Sequence, residues 1–231
     1  MSAPAGMTRA QVRAVDRWAI ETLGALPEIL MENAARGAAD VAQSMLAGRP
    51  GARAAVLAGA GNNAGDGFAV ARHLRVRGIE ADVYLLADPA KISGAALANL
   101  RLAEALLGAA RDVRGRQAEE LARLWRPYDL LIDALGGTGI TGELRGDLAV
   151  AVQAANAAGV PILAIDIPTG LDCDSGRPLG PTIQARKTVT FVARKVGFDA
   201  PGAAEYTGEV VVADIGVPVQ VPGQEGEGRG A

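Results

Sequence analysis

Three short segments hold most of the residues able to do chemistry. The first, residues 59–67 (Gly-Ala-Gly-Asn-Asn-Ala-Gly-Asp-Gly), lies between an apolar run at 54–58 and a helical run at 68–77. A glycine-rich strand-to-helix turn exposes backbone N–H groups at the positive end of a helix dipole, which suits phosphate. Gly59-x-Gly61-x-x-Ala64 fits the dinucleotide fingerprint, and Glu80 and Asp82 follow at about the ~20 residues expected of a ribose-binding acid. Asn62 and Asn63 depart from that fingerprint by adding two side-chain amides, and Asp66 puts a carboxylate at the helix start. The second segment, 133–146, opens on Asp133 and continues Ala-Leu-Gly-Gly-Thr-Gly-Ile-Thr-Gly-Glu-Leu-Arg-Gly. The third, 166–176, opens Asp166-Ile-Pro-Thr-Gly-Leu-Asp after the apolar Ile-Leu-Ala-Ile. An acid closing such a strand needs a polar partner or water.

These loops require strands that end together. The pattern predicts strands at 54–58, 81–86, 129–133, 161–165, 188–192 and 209–213. Helices are predicted at 68–77, 94–107, 118–124 and 148–158. Near-continuous apolar strands between amphipathic helices indicate a parallel sheet covered on both faces. Ligands of such sheets bind beyond the carboxyl ends of the strands, where all three loops fall, so one composite site is expected. Two helices precede the sheet, at 9–23 with Thr8 as cap and at 27–47 with Pro27 in the first turn. Gly24 suits a left-handed stop between them. The expected fold is an α/β Rossmann-like three-layer sandwich with a mostly parallel sheet and an N-terminal helical extension. The glycine-rich connection at 197–208 could break the strict alternation near the end. One domain at 1–217 and a flexible Pro-, Gly- and Glu-rich tail at 218–231 complete the plan.

Composition narrows the classes of function. The 231 residues are 49% hydrophobic but only 3% aromatic, so Ala, Val and Leu must build the core. A formal charge of −3 gives no electrostatic case for nucleic acid or anionic membrane. One cysteine, Cys173, excludes an internal disulfide and a Cys-rich metal site. No apolar run reaches the ~18 residues of a membrane span. The expectation is a soluble, cytoplasmic protein.

Taken in order, the motifs resemble the YjeF N-terminal domain family, whose members act as NAD(P)H-hydrate epimerases. The resemblance runs from Thr8 to Val217. It includes Leu30-Met-Glu-Asn33, the Asn62–Gly67 loop leading into Ala71-Arg-His-Leu74, residues 129–139, residues 166–172 and Thr188-Val-Thr-Phe191. It implies epimerisation of the R and S hydrates of NADH and NADPH, with a dehydratase acting on the S form. That dehydratase would be another polypeptide, unless this chain is one half of a fused protein. Residue by residue, the resemblance implies substrate contacts at Asn62, Asn63, Ala64, Gly65 and Asp66. A second binding stretch falls on Gly137, Thr138, Gly139, Ile140, Thr141, Gly142 and Glu143, and the carboxylate beside the reacting ring on Asp166. Potassium ligands fall on Asn63, Asp133 and Thr169, an all-oxygen set suited to a hard cation. A homodimer is implied as well.

Two positions depart from the family pattern. Ala64 stands where a glycine is usual and would be strained by ~1 kcal/mol if that residue needs positive φ. Thr169 replaces a serine, keeping the hydroxyl and adding a methyl. The substrate is a carbinolamine at C6 of the nicotinamide ring, so epimerisation needs a proton delivered to or removed from that oxygen. Asp166 is the candidate general acid/base, and potassium would hold the loops together and offset carboxylate repulsion.

Plainer roles compete at several positions. Asp66 could be a helix N-cap, Asp133 a cap of its glycine turn, and Asp172 and Asp174 parts of an Asx-type turn. His73 reads as structural. Cys173 has no identifiable base to make it a nucleophile. Lys187 and Lys195 read as solvated strand-end lysines that could instead meet a phosphate, and Arg145 is undecided. The N-terminal helices would cover the sheet or form a dimer contact. Two other functions compete: a catalytically silent nucleotide-binding or scaffolding module of the same fold, and an ordinary dehydrogenase. The dehydrogenase lacks a following catalytic acid such as a His or Tyr-x-x-x-Lys pair.

Overall fold

The structure, a computed structural model, describes residues 6–219 of the 231-residue chain. Most of the proposed tail therefore lies outside the described residues. The chain opens with α1 (Arg9–Glu21) and α2 (Pro27–Leu46), then β1 (Arg53–Ala58), α3 (Asn62–Val76) and β2 (Glu80–Leu85). There follow α4 (Gly94–Leu107), β3 (Arg111–Asp112), α5 (Ala118–Trp125), β4 (Leu130–Ala134) and α6 (Gly146–Ala157). The last elements are β5 (Ile162–Ile165), β6 (Lys187–Phe191), α7 (Ala204–Thr207) and β7 (Glu209–Ala213). Among the described residues no helix is long and apolar enough to cross a membrane.

The seven strands form one sheet in the order β3-β2-β1-β4-β5-β6-β7, and every pairing is parallel. Alternate residues of each strand serve opposite faces. Val56, Ile132 and Ile165 join one buried cluster with residues of α1 to α4. Leu57, Leu131 and Ala164 join another with residues of α5 and α6. The result is the expected three-layer sandwich. The strict alternation breaks one connection earlier than expected: residues 166–186 join β5 to β6 without a helix, whereas the 197–208 connection carries the short α7. The sheet nevertheless stays wholly parallel.

Low aromatic content is matched by close packing of small residues. Helix α2 buries Ala34, Ala35, Ala38, Ala39 and Ala42, and a Cβ on its Gly37 would come 2.7 Å from the Ala213 Cβ. The Leu30–Asn33 and Ala71–Leu74 motifs meet here. Glu32 binds the guanidinium of Arg72 and shares a 2.9 Å hydrogen bond with His73 Nε2. His73 is thus structural. Burial pushes its pKa down, against the pull of Glu32.

One element begins earlier than its composition suggests. Helix α3 starts at Asn62, six residues before the predicted 68, and contains Gly65 and Gly67. Glycine costs helix stability, so its presence needs a steric reason. A Cβ on Gly65 would lie 2.6 Å from Met31 Sδ and 2.9 Å from Ala96 Cα. A Cβ on Gly67 would lie 2.5 Å from the Ala134 Cβ. These glycines let α3 sit tightly between its neighbouring helices and the sheet. Ala64 lies inside this helix, and among the described non-glycine residues only Asp166 and Val192 have positive φ. The alanine carries no strain.

The fingerprint reading of Glu80 and Asp82 fails on geometry. Both lie at the amino end of β2, away from the ligand-binding edge. Asp82 is occupied by Arg53 (3.1 Å), Arg111 (3.1 Å) and the Tyr128 hydroxyl.

Strand β1 is the point where the chain order reverses, since β2 lies on one side and β4 on the other. Gly59 keeps their carboxyl ends together. Its N–H donates to the Ala134 carbonyl at 3.1 Å, and a Cβ there would stand 2.1 Å from the Leu135 carbonyl oxygen. Gly59→Ala is therefore expected to destabilise the fold by about 1–3 kcal/mol. Thermal denaturation checks this, and an unchanged melting temperature would count against the packing described.

Candidate functional site

Four strand ends converge. Beyond β1 the chain enters α3 through Gly61, whose carbonyl accepts from Ala64 N–H (3.0 Å) and Gly65 N–H (3.2 Å). Gly61 is the helix cap and offers no side chain, so Asp66 is not the cap. The first N–H groups of such a helix have no partner within it. Asn62 is exposed, whereas Asn63 is buried, and both polar atoms of the Asn63 amide are without a hydrogen-bond partner. A buried amide left open in this way costs free energy unless something else satisfies it. Ala64 packs in the core, and Gly65 faces Met31 and Ala96. A ligand could meet those two only along the backbone.

Near the end of β4, Asp133 is fully buried. It accepts from Thr169 N–H (2.8 Å), the Thr169 hydroxyl (2.7 Å) and Leu135 N–H (3.2 Å). Burial pushes its pKa up to about 6 against those three hydrogen bonds. Gly136 N–H also donates to the Thr169 hydroxyl, at 3.0 Å. The threonine thus ties the loop after β5 to the loop after β4. Its extra methyl finds room, about 4.0 Å from where a Cβ on Gly136 would sit.

Asp166 follows β5 with φ 67, closed by a bond from Ile167 N–H to the Ile165 carbonyl at 2.9 Å. This is the tight left-handed γ-turn, a strained form. Oδ2 of Asp166 accepts from Thr138 N–H at 3.3 Å. A Cβ on Gly137 would come 2.9 Å from that oxygen and 3.4 Å from the Asn63 Cγ. Asn63, Gly137, Thr138 and Asp166 therefore share one small space. The rest of the second stretch spreads outward. Gly139, Thr141, Gly142 and Glu143 are exposed, and Glu143 holds Arg145 at 3.1 Å. The Ile140 carbonyl accepts from the Arg9 guanidinium at 3.2 Å.

Two residues at the site had no clear signal in the sequence. Lys195, expected in solvent, is fully buried and places Nζ 3.0 Å from Asp166 Oδ1. Its flanks, Val-Ala-Arg before and Val-Gly-Phe after, are mostly apolar, and that was the available hint. Lys187 fits the surface reading, pairing with Glu209 at 2.7 Å. Asp16 comes from the middle of α1 and is half-buried. Burial and then the charge of Asp166 push its carboxyl pKa up, while Lys195 pulls it down. Asp66 is pushed well above the ordinary carboxylate value by burial, then by Asp166 and Asp16. Asp166 is thus the carboxylate on the ammonium, and burial, then repulsion from it, biases Asp16 and Asp66 toward their neutral forms.

The segment after Asp166 braces α1. Arg9 pairs with Asp172 at 2.7 Å, and Arg9 N–H donates to Asp174 at 2.7 Å. The Asx-type turn forms as expected, with Asp172 accepting from Ser175 N–H at 2.8 Å. Burial raises the Asp172 pKa, but the Ser175 and Arg9 contacts outweigh it and hold the carboxyl at about 2. Cys173 is buried with Ile167, Leu171 and Phe198, and burial pushes its thiol up to about 12.

The chain is similar to known proteins over most of its length. Residues 27–197 match the family described as YjeF-related protein N-terminus. A protein of Rhodopirellula baltica named NAD(P)H-hydrate epimerase is 42% identical over 93% of this chain and 86% of its own length. One of Pirellula staleyi with the same name is 41% identical over 91% of this chain and 92% of its own. A bifunctional NAD(P)H-hydrate repair enzyme of Moorella thermoacetica is 38% identical, and the match spans 40% of that longer protein. The crystal structure of yeast ynu0 shares the fold, with a TM-score of 0.71 and 22% identity over 83% of this chain and 82% of its own.

A thiol with this burial and pKa is not a nucleophile. Cys173 should therefore resist a disulfide reagent such as Ellman's at pH 8 and react within minutes once the protein is unfolded in guanidinium. Rapid labelling of the folded protein would contradict its placement.

Proposed function

Since this chain belongs to the family of YjeF-related protein N-termini, we propose that it is an NAD(P)H-hydrate epimerase, interconverting the R and S hydrates of NADH and NADPH. One feature of the geometry carries that reading to particular atoms. Asp166 Oδ2 lies against the Thr138 N–H in the same space as the unpartnered Asn63 amide. Protonation of a hydroxyl on the ring carbon beside the ring nitrogen lets its C–O bond break, releasing water and leaving an iminium; water then adds to the other face and returns the proton. Asp166 is the general acid/base for that transfer, at a partly enclosed position suited to the task.

The substrate is held by the two stretches on either side of Asp166. Asn62, Asn63, Ala64, Gly65 and Asp66 supply the open end of α3, which favours the negative charge of the pyrophosphate. Residues 137–143 supply the facing loop. Asn63, Asp133 and Thr169 fit a potassium ion, because they combine an amide oxygen that lacks a partner with a carboxylate and a hydroxyl. The ion would add positive charge beside the carboxyl cluster and steady the loops after β4 and β5.

The same reading extends to the surroundings. The bifunctional relative supports functional coupling to a dehydratase. A cytoplasmic location agrees with a substrate derived from pyridine nucleotides. A homodimer belongs to the proposal too, and Ile29 and Leu102 stand exposed beside a groove of about 320 Å³ between α2 and α4.

Purified protein added to R-enriched NADPH hydrate should accelerate R/S exchange, followed by chromatography, and lose rate when potassium is replaced by a larger organic cation. Asp166→Asn should slow exchange about 100-fold or more with the fold intact. Full activity in that variant would remove Asp166 from the chemistry, and no exchange by the folded wild type would leave a silent nucleotide-binding module. Gly137→Ala should lower the melting temperature modestly and cut kcat about 10-fold or more, since its methyl crowds Oδ2 of a carboxylate that has little room to move. Wild-type turnover in this variant would mean that Oδ2 is not the working oxygen.

A further inference from the structure

We propose that Lys195 is a positioning residue for the reaction, clamping one oxygen of Asp166 so that only the other meets the substrate. The inference rests on the assignment of Asp166 above. Lysine is almost never fully buried unless paired, and Lys195 is among the largest fully buried side chains of the protein. Its ammonium has three acceptors: Asp166 Oδ1 at 3.0 Å, the Phe191 carbonyl at 2.9 Å and the Ala193 carbonyl at 3.3 Å. Three N–H groups meet three acceptors, so none is left to bind phosphate or to donate to substrate.

The backbone is bent to build this cradle. Val192 lies between the two carbonyls with φ 67, and Ala193 N–H donates to the Phe191 carbonyl at 2.7 Å. A β-branched residue avoids this region unless its surroundings impose it. The neighbouring strand ends in the same turn, at Asp166. Asp166 N–H donates to the Val189 carbonyl at 2.7 Å, which keeps the two strand ends in register. Adjacent strands thus finish in matching strained turns, one presenting the carboxylate and the other the carbonyls that hold its counter-ion. The arm before α1 covers the arrangement. Met7 N–H donates to the Arg194 carbonyl at 2.7 Å, and Val196 N–H donates to the Met7 carbonyl at 3.0 Å.

With Oδ1 held, the Asp166 side chain cannot turn, and Oδ2 is left facing Thr138 and Gly137. A double-mutant cycle tests this. Lys195→Met should lower kcat for R/S exchange about 100-fold with little change in KM, as expected for loss of a positioned acid/base. In an Asp166→Asn background the same substitution should change kcat by less than about threefold, because Lys195 then has nothing to position. Independent, multiplicative losses would overturn the proposal, as would a Lys195→Met enzyme with full kcat.

Thermal melts of the same four proteins need no substrate and decide the pairing separately. The two single substitutions should lower the melting temperature by more in sum than the double variant does. If Lys195→Met alone is insoluble, the double variant should fold, and a double variant equally insoluble would overturn the pairing. Undiminished exchange by Asp166→Asn would instead remove the catalytic assignment, while sub-additive melts would still establish the clamp.

Discussion

An ammonium cut off from water dictates what surrounds it. Each acceptor that Lys195 lacked would leave a costly unsatisfied donor, so the chain must bring a carboxylate and two carbonyls to one point. Asp166 and Val192 meet that demand in backbone conformations that cost about 1–3 kcal/mol each. Such conformations persist where the surroundings over-determine them. Here the over-determination comes from the sheet register between β5 and β6, the ion pair and the capping arm at Met7. Asp16 and Asp66 then feel both the charge of Asp166 and the absence of water.

The site lies at the reversal in strand order, where the loops after β1 and β4 can separate into a crevice. Close packing sets its dimensions. Without side chains on Gly59, Gly65 and Gly67, the start of α3 can approach both the sheet and its neighbouring helices. That approach carries Asn63 into the buried space beside Gly137. Thr169 and Asp133 add a second link across the crevice floor, joining the loops after β4 and β5 through a hydroxyl and a carboxylate. The proposed catalytic carboxylate and the proposed cation site are therefore neighbours along one segment, 166–169.

Much of this was legible in the residues. Alternating apolar runs located six of the seven strands, while β3 is two exposed residues and leaves no apolar pattern to find. The polar strand ends pointed to a shared edge, since parallel strands put all their carboxyl ends on one side. The start of α3 is hidden because Asn-Asn-Ala-Gly-Asp-Gly has the composition of a turn. Its glycines answer to tertiary crowding, which is invisible in one segment alone. The burial of Lys195 is hidden for a related reason. Charge predicts exposure except where a distant partner cancels it, and Asp166 is 29 positions away in the chain. Asp16 occupies an ordinary place in an amphipathic helix, and only the docking of α1 turns it toward the carboxyl cluster.

That docking separates two units that are easily conflated. The recognisable family segment begins at residue 27. Yet the Met7 backbone bonds to both neighbours of Lys195, Arg9 grips Asp172 and the Ile140 carbonyl, and Asp16 feels the field of Asp166. Part of the site's insulation and part of its charge thus come from a stretch outside the segment by which the family is recognised. This first helix is free to drift in sequence only as far as a wall of the reaction chamber can. Relatives could retain every signature loop and still differ in how dry, and how acidic, that chamber is.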